Sequence, residues 1–343
     1  MNDTIALDPS LPIVDLHRHL EGSMRLTTAI DVCREHNLTL PAWDLPGLQK
    51  AVWIDQPVSD IIQIFPRFDT LRQTFVNETI CRRVTTECLE DAAQEGLDYL
   101  ELRFSPYFMA EIHHLSPMAV TASVCEAWQD SLQGLLITSR LIVILSRTYG
   151  PEICTIEMDC ALANKDRGVA GVDLAGDEKR WPAHLFAQEF DRAREAGLSI
   201  TAHAGEFAGA DSIRETIDAL HPQRLGHAVR AVDDPHLMDE IARKGIAIEC
   251  CPTSNYLTAS IPNLKDHPIP VFLKHGIKAT LNTDDPSFMG GLTIGQEYQN
   301  VMDSVGLTRK ELGQIQRNGL EAAFINADEK QRILSIKQKT SEG

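Results

Sequence analysis

Strand-like and helix-like segments alternate along nearly the whole chain, and this alternation restricts the possible fold more than any other feature of the sequence. Short runs rich in apolar or β-branched residues are mostly separated by segments whose apolar residues recur at helical spacing. These runs cover residues 11–16, 97–104, 140–146, 168–174, 198–202, 224–229, 246–251 and 277–282. Strands that alternate with helices form parallel sheets, and eight such units predict a closed (β/α)8 barrel, the TIM-barrel fold.

Two regions go beyond the repeating strand and helix units. Residues 24–70, after the first strand, are rich in proline and mix aromatic with polar side chains, which predicts a helical insertion. The insertion is interpreted either as a region packed onto the core or as a lid over an apolar pocket. Near the C-terminus, Thr308 and Glu311 match a capping box and predict a further helix, whereas residues 330–343 are predicted to form a polar, frayed tail. We therefore expect one domain that covers residues 1–343.

Charge and hydropathy exclude several classes of partner. The 343 residues carry a formal net charge of −17, and such an acidic surface repels phosphate backbones and anionic lipids. No apolar run approaches the roughly 18 residues that a membrane-spanning helix needs, and the acidic first ten residues lack a secretion signal pattern. We expect a cytoplasmic protein that acts on a small neutral or cationic molecule, without nucleic-acid or membrane partners. The sequence gives no expectation for the oligomeric state.

Histidine and aspartate side chains lie where the predicted strands end, and in a TIM barrel those ends form the active site. Side chains alternate along a strand, so His17 and His19 are expected to point to one side and Arg18 to the other. His203 ends the fifth predicted strand, and Asp284 follows the eighth. Three imidazoles and one carboxylate are donors that suit zinc. The sequence therefore predicts that His17, His19, His203 and Asp284 hold one Zn²⁺ ion per chain.

Other groups near the same strand ends suit the remaining steps of a hydrolysis. Glu206 follows His203 on a turn that contains glycine and is a candidate for proton transfer, while His227 is placed to orient or polarise water. Asp285 is a candidate hydrogen-bond acceptor for the substrate, and the backbone N–H of Gly176 is accessible to a flat ligand. Each group alone is equally compatible with an ordinary turn or a core histidine. Their shared placement at strand ends favours a catalytic site.

The remaining histidines and the cysteines are interpreted as ordinary structural residues. The histidines predicted to be solvated surface groups are His36, His113, His114, His221, His236, His267 and His275. The 8 cysteines are dispersed without a CxxC pair, which favours buried thiols in a reducing compartment. Residues 249–252 (ECCP) lack a second cysteine pair at ligand spacing, so a thiolate metal site is not expected.

Short motifs that span nearly the whole chain resemble those of the adenosine deaminase family, in the amidohydrolase superfamily. They are DLHRHLEG at 15–22, ELRFSP at 101–106, DLAGDE at 173–178, HAGE at 203–206, LGH at 225–227 and LNTDDP at 281–286. The resemblance implies a TIM barrel with one zinc ion. It also implies hydrolytic deamination at C6 of a 6-aminopurine, which would convert adenosine and 2′-deoxyadenosine to inosine and 2′-deoxyinosine with release of ammonia.

The same resemblance implies a role for each candidate residue. The four predicted zinc ligands match the metal ligands of the family. Among the catalytic groups, Glu206 would donate a proton to ring N1, His227 would orient the attacking hydroxide, and Asp285 would contact ring N7. Substrate contacts are implied also for His19 and for the backbone of Gly176, which would reach ring N3.

One residue departs from the pattern of many family members. Glu21 stands where adenosine deaminases often carry aspartate, at the position that contacts the ribose 5′-hydroxyl. The extra methylene would shift that hydrogen bond or intrude on the ribose site, so adenine or an adenosine modified at the 5′ or N6 position stays open as the substrate. Gly226, which precedes His227 as in adenosine deaminases, favours the nucleoside.

Two further features limit the range of mechanisms. Residues 168–174 contain no lysine that could bridge a second metal ion, and the HxE…PCxxC signature of nucleic-acid deaminases does not occur. Two other hypotheses stay open for the sequence alone. One is a metal hydrolase of the same fold that acts on an amide or ester, and the other is a purine-binding protein without activity.

Overall fold

The computed structural model describes residues 7–58 and 63–341, and within them eight parallel strands form one sheet that closes on itself. The strands are β1 Val14–His19, β2 Tyr99–Phe104, β3 Thr138–Ser146, β4 Val169–Ala175, β5 Ser199–Ala204, β6 Arg224–His227, β7 Ala247–Cys250 and β8 Lys278–Leu281. The strands pair in chain order. The circle closes where the N–H of Asp284 donates to the carbonyl of His17 at 2.8 Å and the N–H of His19 donates to that of Asp284 at 2.9 Å. The predicted (β/α)8 TIM barrel is confirmed.

Helices surround the barrel and follow most of its strands. In chain order, α1 to α15 are Leu26–Glu35, Leu45–Val52, Phe65–Arg72, Glu78–Gln94, Pro106–Ala110, Pro117–Ser131, Pro151–Ala163, Ala187–Glu195, Ala210–Leu220, Pro235–Lys244, Pro252–Leu257, Ile269–Lys274, Ile294–Asn300, Arg309–Ala322 and Ala327–Ser341. Several helices begin at a proline whose preceding polar side chain accepts a backbone N–H, as Ser116 does at α6 and Asp234 at α10. The predicted capping box of Thr308 and Glu311 opens α14.

The first strand begins later than predicted. β1 covers Val14–His19 instead of residues 11–16, so both histidines lie within the strand, where Arg18 is opposite Leu102 and His19 is opposite Arg103 of β2. The expected alternation is confirmed, because the buried guanidinium of Arg18 binds the Glu95 carboxylate through two hydrogen bonds of 2.9 and 2.8 Å. Both histidines instead face Asp284.

The predicted C-terminal tail is wrong for most of its length. Residues 330–341 belong to α15, and only residues 342 and 343 lie outside the described part of the chain. The helix is polar apart from one short apolar stripe. Ile333 on that stripe is buried with Val14, Leu16 and Tyr99, and this contact attaches the helix to the first two strands.

The predicted insertion contains α1, α2 and α3, although residues 59–62 within it lie outside the described residues. Its backbone forms hydrogen bonds with segments that follow the last two strands. The N–H of Ile54 donates to the carbonyl of Phe288, after β8, at 2.8 Å, and the N–H of Val58 donates to the carbonyl of Leu257, at the end of α11, at 3.0 Å. The rings of Phe68 and Phe288 are stacked with their centroids 4.1 Å apart. The insertion is therefore packed against the end of the barrel at which the strands finish.

Burial of the cysteine thiols agrees with a protein that has an apolar interior. All 8 cysteines are buried as free thiols, as the sequence predicted, and burial raises the pKa of Cys250 and Cys251. Among the described residues, we find no helix that combines the length and the apolar composition needed to cross a bilayer.

Candidate metal centre and catalytic site

Four histidines and one aspartate converge at the C-terminal end of the barrel. The ring centroid of His17 lies 4.6 Å from that of His203 and 4.8 Å from that of His227, and the last two are 5.0 Å apart. Asp284 Oδ1 lies 3.3 Å from Nε2 of both His17 and His19. The structure thus places all four predicted metal ligands together. It also places His227 among them, since one donor atom each from His17, His203, His227 and Asp284 lie within 4.8 Å of one another.

Left-handed backbone turns direct two of these side chains into the site. His227, the last residue of β6, has φ 59°, and Asp284, just after β8, has φ 62°. Such conformations cost non-glycine residues on the order of 1–3 kcal/mol each, and they persist only where the surrounding structure enforces them. Backbone hydrogen bonds enforce them here, from Asp284 to His17 at 2.8 Å and from Ala228 to Ala204 at 3.1 Å.

Carboxylates behind two of the histidines fix which ring nitrogen faces the centre. His17 Nδ1 lies 2.7 Å from Glu249 Oε2, and His203 Nδ1 lies 3.1 Å from Asp173 Oδ1. A carboxylate accepts the Nδ1 proton, so Nε2 of each ring keeps its lone pair. Arg103 joins the two carboxylates, with hydrogen bonds of 2.6 Å to Asp173 and 2.8 Å to Glu249. Both rings are therefore oriented as metal ligands.

The charges around the cluster favour a cation at its centre. With Nδ1 as donor, His17 Nε2 and Asp284 Oδ1 face each other as two lone-pair acceptors at 3.3 Å. Among the described residues, His17 Nε2 is buried without a hydrogen bond of normal geometry. Burial lowers the pKa of His17, but Asp284 and Glu249 outweigh that effect and raise it. The donors are imidazole nitrogens and carboxylate oxygens, a combination that fits a divalent metal ion.

Glu206 lies beside the metal-binding cluster on the loop that follows β5. Its Oε2 is 3.6 Å from Nε2 of His227, and the side chain is buried. Burial raises the pKa of Glu206 well above its ordinary value, and the nearby carboxylates of Asp284, Glu178 and Asp285 raise it further. The carboxyl group is therefore disposed to carry a proton near neutral pH, as a general acid requires.

Glu178 holds the loop that carries Glu206. Its carboxylate accepts the backbone N–H of Gly205 at 2.5 Å and those of Phe207 and Ala208 at 3.1 Å each. The hydroxyl of Ser212 donates to the same carboxylate at 2.6 Å. These hydrogen bonds fix the backbone on both sides of Glu206. Glu178 therefore acts through the loop as a positioning residue.

Glu21 and Asp285 present unpartnered oxygens to the site. Glu21 Oε1 accepts the N–H of Ser105 at 2.6 Å, whereas Glu21 Oε2 and Asp285 Oδ1 have no hydrogen-bond partner in the described part of the chain. Burial raises the pKa of Glu21 to about 8, and burial with the neighbouring Asp284 raises that of Asp285 well above its usual value. Both oxygens are available to a polar ligand.

Two glycines allow the backbone to approach closely at this end of the barrel. A Cβ on Gly22 would lie 1.8 Å from Asp285 Oδ1, so a side chain there would displace that carboxylate. Gly176, at the end of β4, has φ +111°, and a Cβ there would lie 2.3 Å from Thr148 Oγ1. Both positions therefore require glycine, and the structure places Gly176 at the strand end expected from the sequence.

Several residues of the site were not identified from the sequence. Asp173 and Glu249 are charged residues within otherwise apolar strands, a signal that could have marked them as partners of the histidines. The prediction that His267 is a solvated surface group is wrong, because its side chain is only 2% exposed. It lies just before α12, where the polar segment around it resembles an ordinary loop.

Comparisons with known proteins find relatives that match nearly the whole chain. Residues 12–339 match the family model for adenosine deaminase. An adenosine deaminase from Erwinia tasmaniensis is 44% identical over 327 residues, which cover 95% of this chain and 98% of that protein.

Two solved structures resemble the model closely. An adenine deaminase from Arthrobacter aurescens superimposes with a TM-score of 0.85 over 97% of this chain and 100% of that one, but at 23% identity it supports the fold alone. An amidohydrolase from Burkholderia ambifaria with bound zinc has a TM-score of 0.83 and 26% identity over 97% of this chain and 93% of that one. From the family match and the 44% identity, the chain belongs to the adenosine deaminase family.

Proposed function

We propose that this protein is a hydrolase that converts adenosine and 2′-deoxyadenosine to inosine and 2′-deoxyinosine and releases ammonia. The observation that carries the proposal is the convergence of His17, His203 and Asp284 beside the buried carboxyl group of Glu206. A water-activating centre and a general acid are the two groups that removal of an aromatic amino group by water requires. Curated relatives at 44% identity carry the name of this activity. The net charge of −17 favours a free nucleoside over nucleic acid as substrate.

The metal is proposed to be one zinc ion per chain, with His17, His19, His203 and Asp284 as its ligands. Their nitrogen and oxygen donors suit zinc, and the carboxylates behind His17 and His203 already present Nε2 of those rings to the centre. When bound, zinc would act as a Lewis acid and lower the pKa of a water molecule from 15.7 to about 7.

Glu206 transfers the protons, and His227 orients the attacking oxygen. Glu206 donates its proton to ring N1, which makes C6 more electrophilic as the water oxygen attacks from the side of His227. The Glu206 carboxylate then accepts one proton from the attacking oxygen and passes it to the amino group, which departs as ammonia. The second proton of that oxygen returns to Glu206, so the product carries C6=O and Glu206 is protonated again. This sequence needs Glu206 protonated at the start, in agreement with the direction in which burial moves its pKa.

The purine and the ribose are held by groups that have free hydrogen-bonding capacity. Because burial raises its pKa, Asp285 is proposed to be protonated and to donate a hydrogen bond to ring N7. This reverses the hydrogen-bond direction expected from the sequence. The backbone N–H of Gly176 is assigned to ring N3, and His19 borders the substrate. Glu21 Oε2 is assigned to the ribose 5′-hydroxyl, since its other oxygen is already occupied by Ser105.

The whole chain is proposed to work as one catalytic domain, with residues 24–70 as a lid. Contacts of Ile54 and Phe68 with Phe288 support this assignment, because Phe288 lies on the loop that also carries Asp284 and Asp285. A lid in this position would exclude bulk water from the site during the reaction.

A steady-state comparison of substrates tests the proposed activity. Adenosine, 2′-deoxyadenosine, adenine and 5′-methylthioadenosine would each be assayed for ammonia release under the same conditions. We expect the two unmodified nucleosides to have the highest kcat/KM. A higher kcat/KM for adenine or for the 5′-modified nucleoside would contradict the proposed substrate. Glu21 would then be assigned to the recognition of that alternative substrate.

A further inference from the structure

We propose that Asn255 and His267 form a hydrogen-bond relay that fixes His227 as the tautomer with its proton on Nε2. In that form, His227 donates a hydrogen bond to the attacking oxygen and does not serve as a further metal ligand. The identity of the attacking oxygen rests on the proposed function, whereas the tautomer does not. Asn255 and His267 are thus positioning residues for the reaction.

The direction of the relay is set by a backbone N–H at its outer end. The N–H of Ile269 donates to His267 Nδ1 at 3.3 Å, and a backbone amide cannot accept in return. His267 is buried, and burial lowers its pKa to about 3, so the ring is neutral in the working range of pH. A neutral imidazole whose Nδ1 accepts carries its single proton on Nε2.

That proton in turn fixes the orientation of the Asn255 amide. His267 Nε2 lies 3.3 Å from Asn255 Oδ1, and since Nε2 is the donor, the amide atom facing it is the oxygen. The amide nitrogen therefore faces the other way, where Asn255 Nδ2 lies 3.0 Å from His227 Nδ1. The amide group is wholly buried, so no water competes for either contact.

His227 Nδ1 must consequently accept a hydrogen bond. An imidazole ring whose Nδ1 accepts a hydrogen bond carries its proton on Nε2. This Nε2 lies 3.6 Å from Glu206 Oε2. A protonated nitrogen has no lone pair to give to a metal ion.

The arrangement is the opposite of that found at His17 and His203. Their Nδ1 atoms face the carboxylates of Glu249 and Asp173, which can only accept, so their Nε2 atoms are the ones with lone pairs. Proximity alone groups His227 with these ligands. The hydrogen-bond partner of Nδ1 distinguishes the two kinds of histidine. A carboxylate that accepts from Nδ1 leaves Nε2 with a lone pair for a metal ion, whereas an amide N–H that donates to Nδ1 leaves the proton on Nε2.

The other tautomer of His227, with its proton on Nδ1, would leave two hydrogen-bond donors facing each other. If His227 were a ligand, its Nδ1 would carry the proton and Asn255 would have to turn its oxygen toward it. The Asn255 amide nitrogen would then face the protonated Nε2 of His267, and two buried donors would stand without an acceptor. Such unsatisfied groups are rare in folded proteins because burying them is costly.

Long-range ¹H–¹⁵N correlation spectra of histidine-labelled protein measure the tautomer directly. His227 would be assigned by the disappearance of its signals in His227→Gln, and spectra would be recorded before and after addition of zinc. We expect an unprotonated Nδ1 and a protonated Nε2 in both states. A proton on Nδ1, or loss of the Nε2 proton when zinc is added, would overturn the proposal.

The variant Asn255→Asp tests the consequence for catalysis. Aspartate has the same shape, but both of its oxygens accept, so His227 Nδ1 should gain a proton in the same spectra. We expect kcat for adenosine to fall about 10²-fold, as when a positioned hydrogen-bond donor to a developing charge is lost, while KM and the zinc content stay unchanged.

Asn326→Asp is the matched control, since exposed Asn326 uses its oxygen to accept the N–H of Glu329 at 2.9 Å and aspartate can do the same. An Asn255→Asp enzyme with parental kcat and a protonated Nδ1 would contradict the catalytic role of the tautomer. A parent protein that releases no ammonia from adenosine would instead reject the proposed function, and the spectra would still decide the relay.

Discussion

Both ends of the barrel contain buried charged residues, but these residues differ in their hydrogen-bond partners. At the N-terminal end, the guanidinium of Arg224 binds the carboxylates of both Glu101 and Glu249. Glu101 also accepts the hydroxyl of Tyr99 at 2.9 Å and the N–H of Phe324 at 2.6 Å. Every charge in this group has a partner of opposite sign, so its function is to hold the strands together.

At the C-terminal end, the buried polar groups are incomplete. Among the described residues, His17 Nε2, Glu21 Oε2 and Asp285 Oδ1 are buried without a hydrogen-bond partner, and His227 and Asp284 hold strained backbone conformations. A folded protein retains such features where a ligand completes them. Unpaired imidazole and carboxylate atoms, and not charge alone, therefore distinguish the candidate metal centre from the ion-paired cluster around Arg224.

Removal of the general acid should have the largest effect, and only at the reactive end. Glu206→Gln keeps the shape of the side chain but cannot give up a proton, so we expect kcat for adenosine to fall about 10³-fold. Zinc content and thermal stability should match the parent. Exposed Glu195 provides the control, Glu195→Gln, which should leave kcat unchanged. Parental turnover in Glu206→Gln would remove Glu206 from the mechanism.

The structural end should respond in stability and not in rate. Glu101→Gln removes the negative charge that Arg224 binds, and we expect a loss of about 3 kcal/mol in the free energy of unfolding. The folded variant should keep the parental kcat, as measured at a temperature well below its unfolding transition. Glu329→Gln breaks a half-exposed pair with Arg140 and should cost less than about 1 kcal/mol. A large fall in kcat for folded Glu101→Gln would show that the structural end of the barrel also affects the reaction.

Glu249 joins the two ends, because one of its oxygens faces His17 and the other accepts from Arg224 and Thr201. Burial alone would raise its pKa, but the guanidinium groups of Arg103 and Arg224 hold the pKa well below its usual range. We expect Glu249→Gln to weaken zinc binding about 10- to 100-fold, measured by competition with a chelator, and to lower stability as well. Unchanged zinc affinity would show that the carboxylate does not orient His17.

The smallest effect should appear in the pH dependence of substrate binding. Burial raises the pKa of Glu21 to about 8, so the carboxyl is protonated below that pH and loses its proton above it. If the protonated form binds the ribose 5′-hydroxyl, KM for adenosine should rise about tenfold between one pH unit below and one unit above that pKa. Glu21→Gln stays neutral and should show a flat KM. A rise of the same size in the variant would assign the titration to another group.

Features that repeat along the chain were predictable, and contacts between distant segments were not. Alternating strands and helices predicted the barrel, and the strand ends predicted where His17, His203, His227 and Asp284 converge. Strand boundaries shifted by a few residues, because local pattern does not show where backbone pairing begins. The burial of Ile333 depends on tertiary contacts that no local pattern records.

The partners behind the catalytic groups were missed for a similar reason. The relay through Asn255 and His267 combines the end of β6, helix α11 and the segment before α12, and each of its residues looks ordinary in its own segment. Glu249 and Asp173 carried a detectable signal, a lone charge within an apolar strand, but their partners could be named only from the folded structure. Sequence pattern therefore indicated the groups at the centre of the candidate site better than those that orient them.

Zinc titration of chelated protein, with ammonia release from adenosine as the readout, tests the central claim most directly. We expect no activity in the metal-free protein, a linear rise with added zinc, and a plateau at one ion per chain. Glu206→Gln should bind the same amount of zinc without recovering activity. Metal-free protein that converts adenosine at the parental rate would contradict the account.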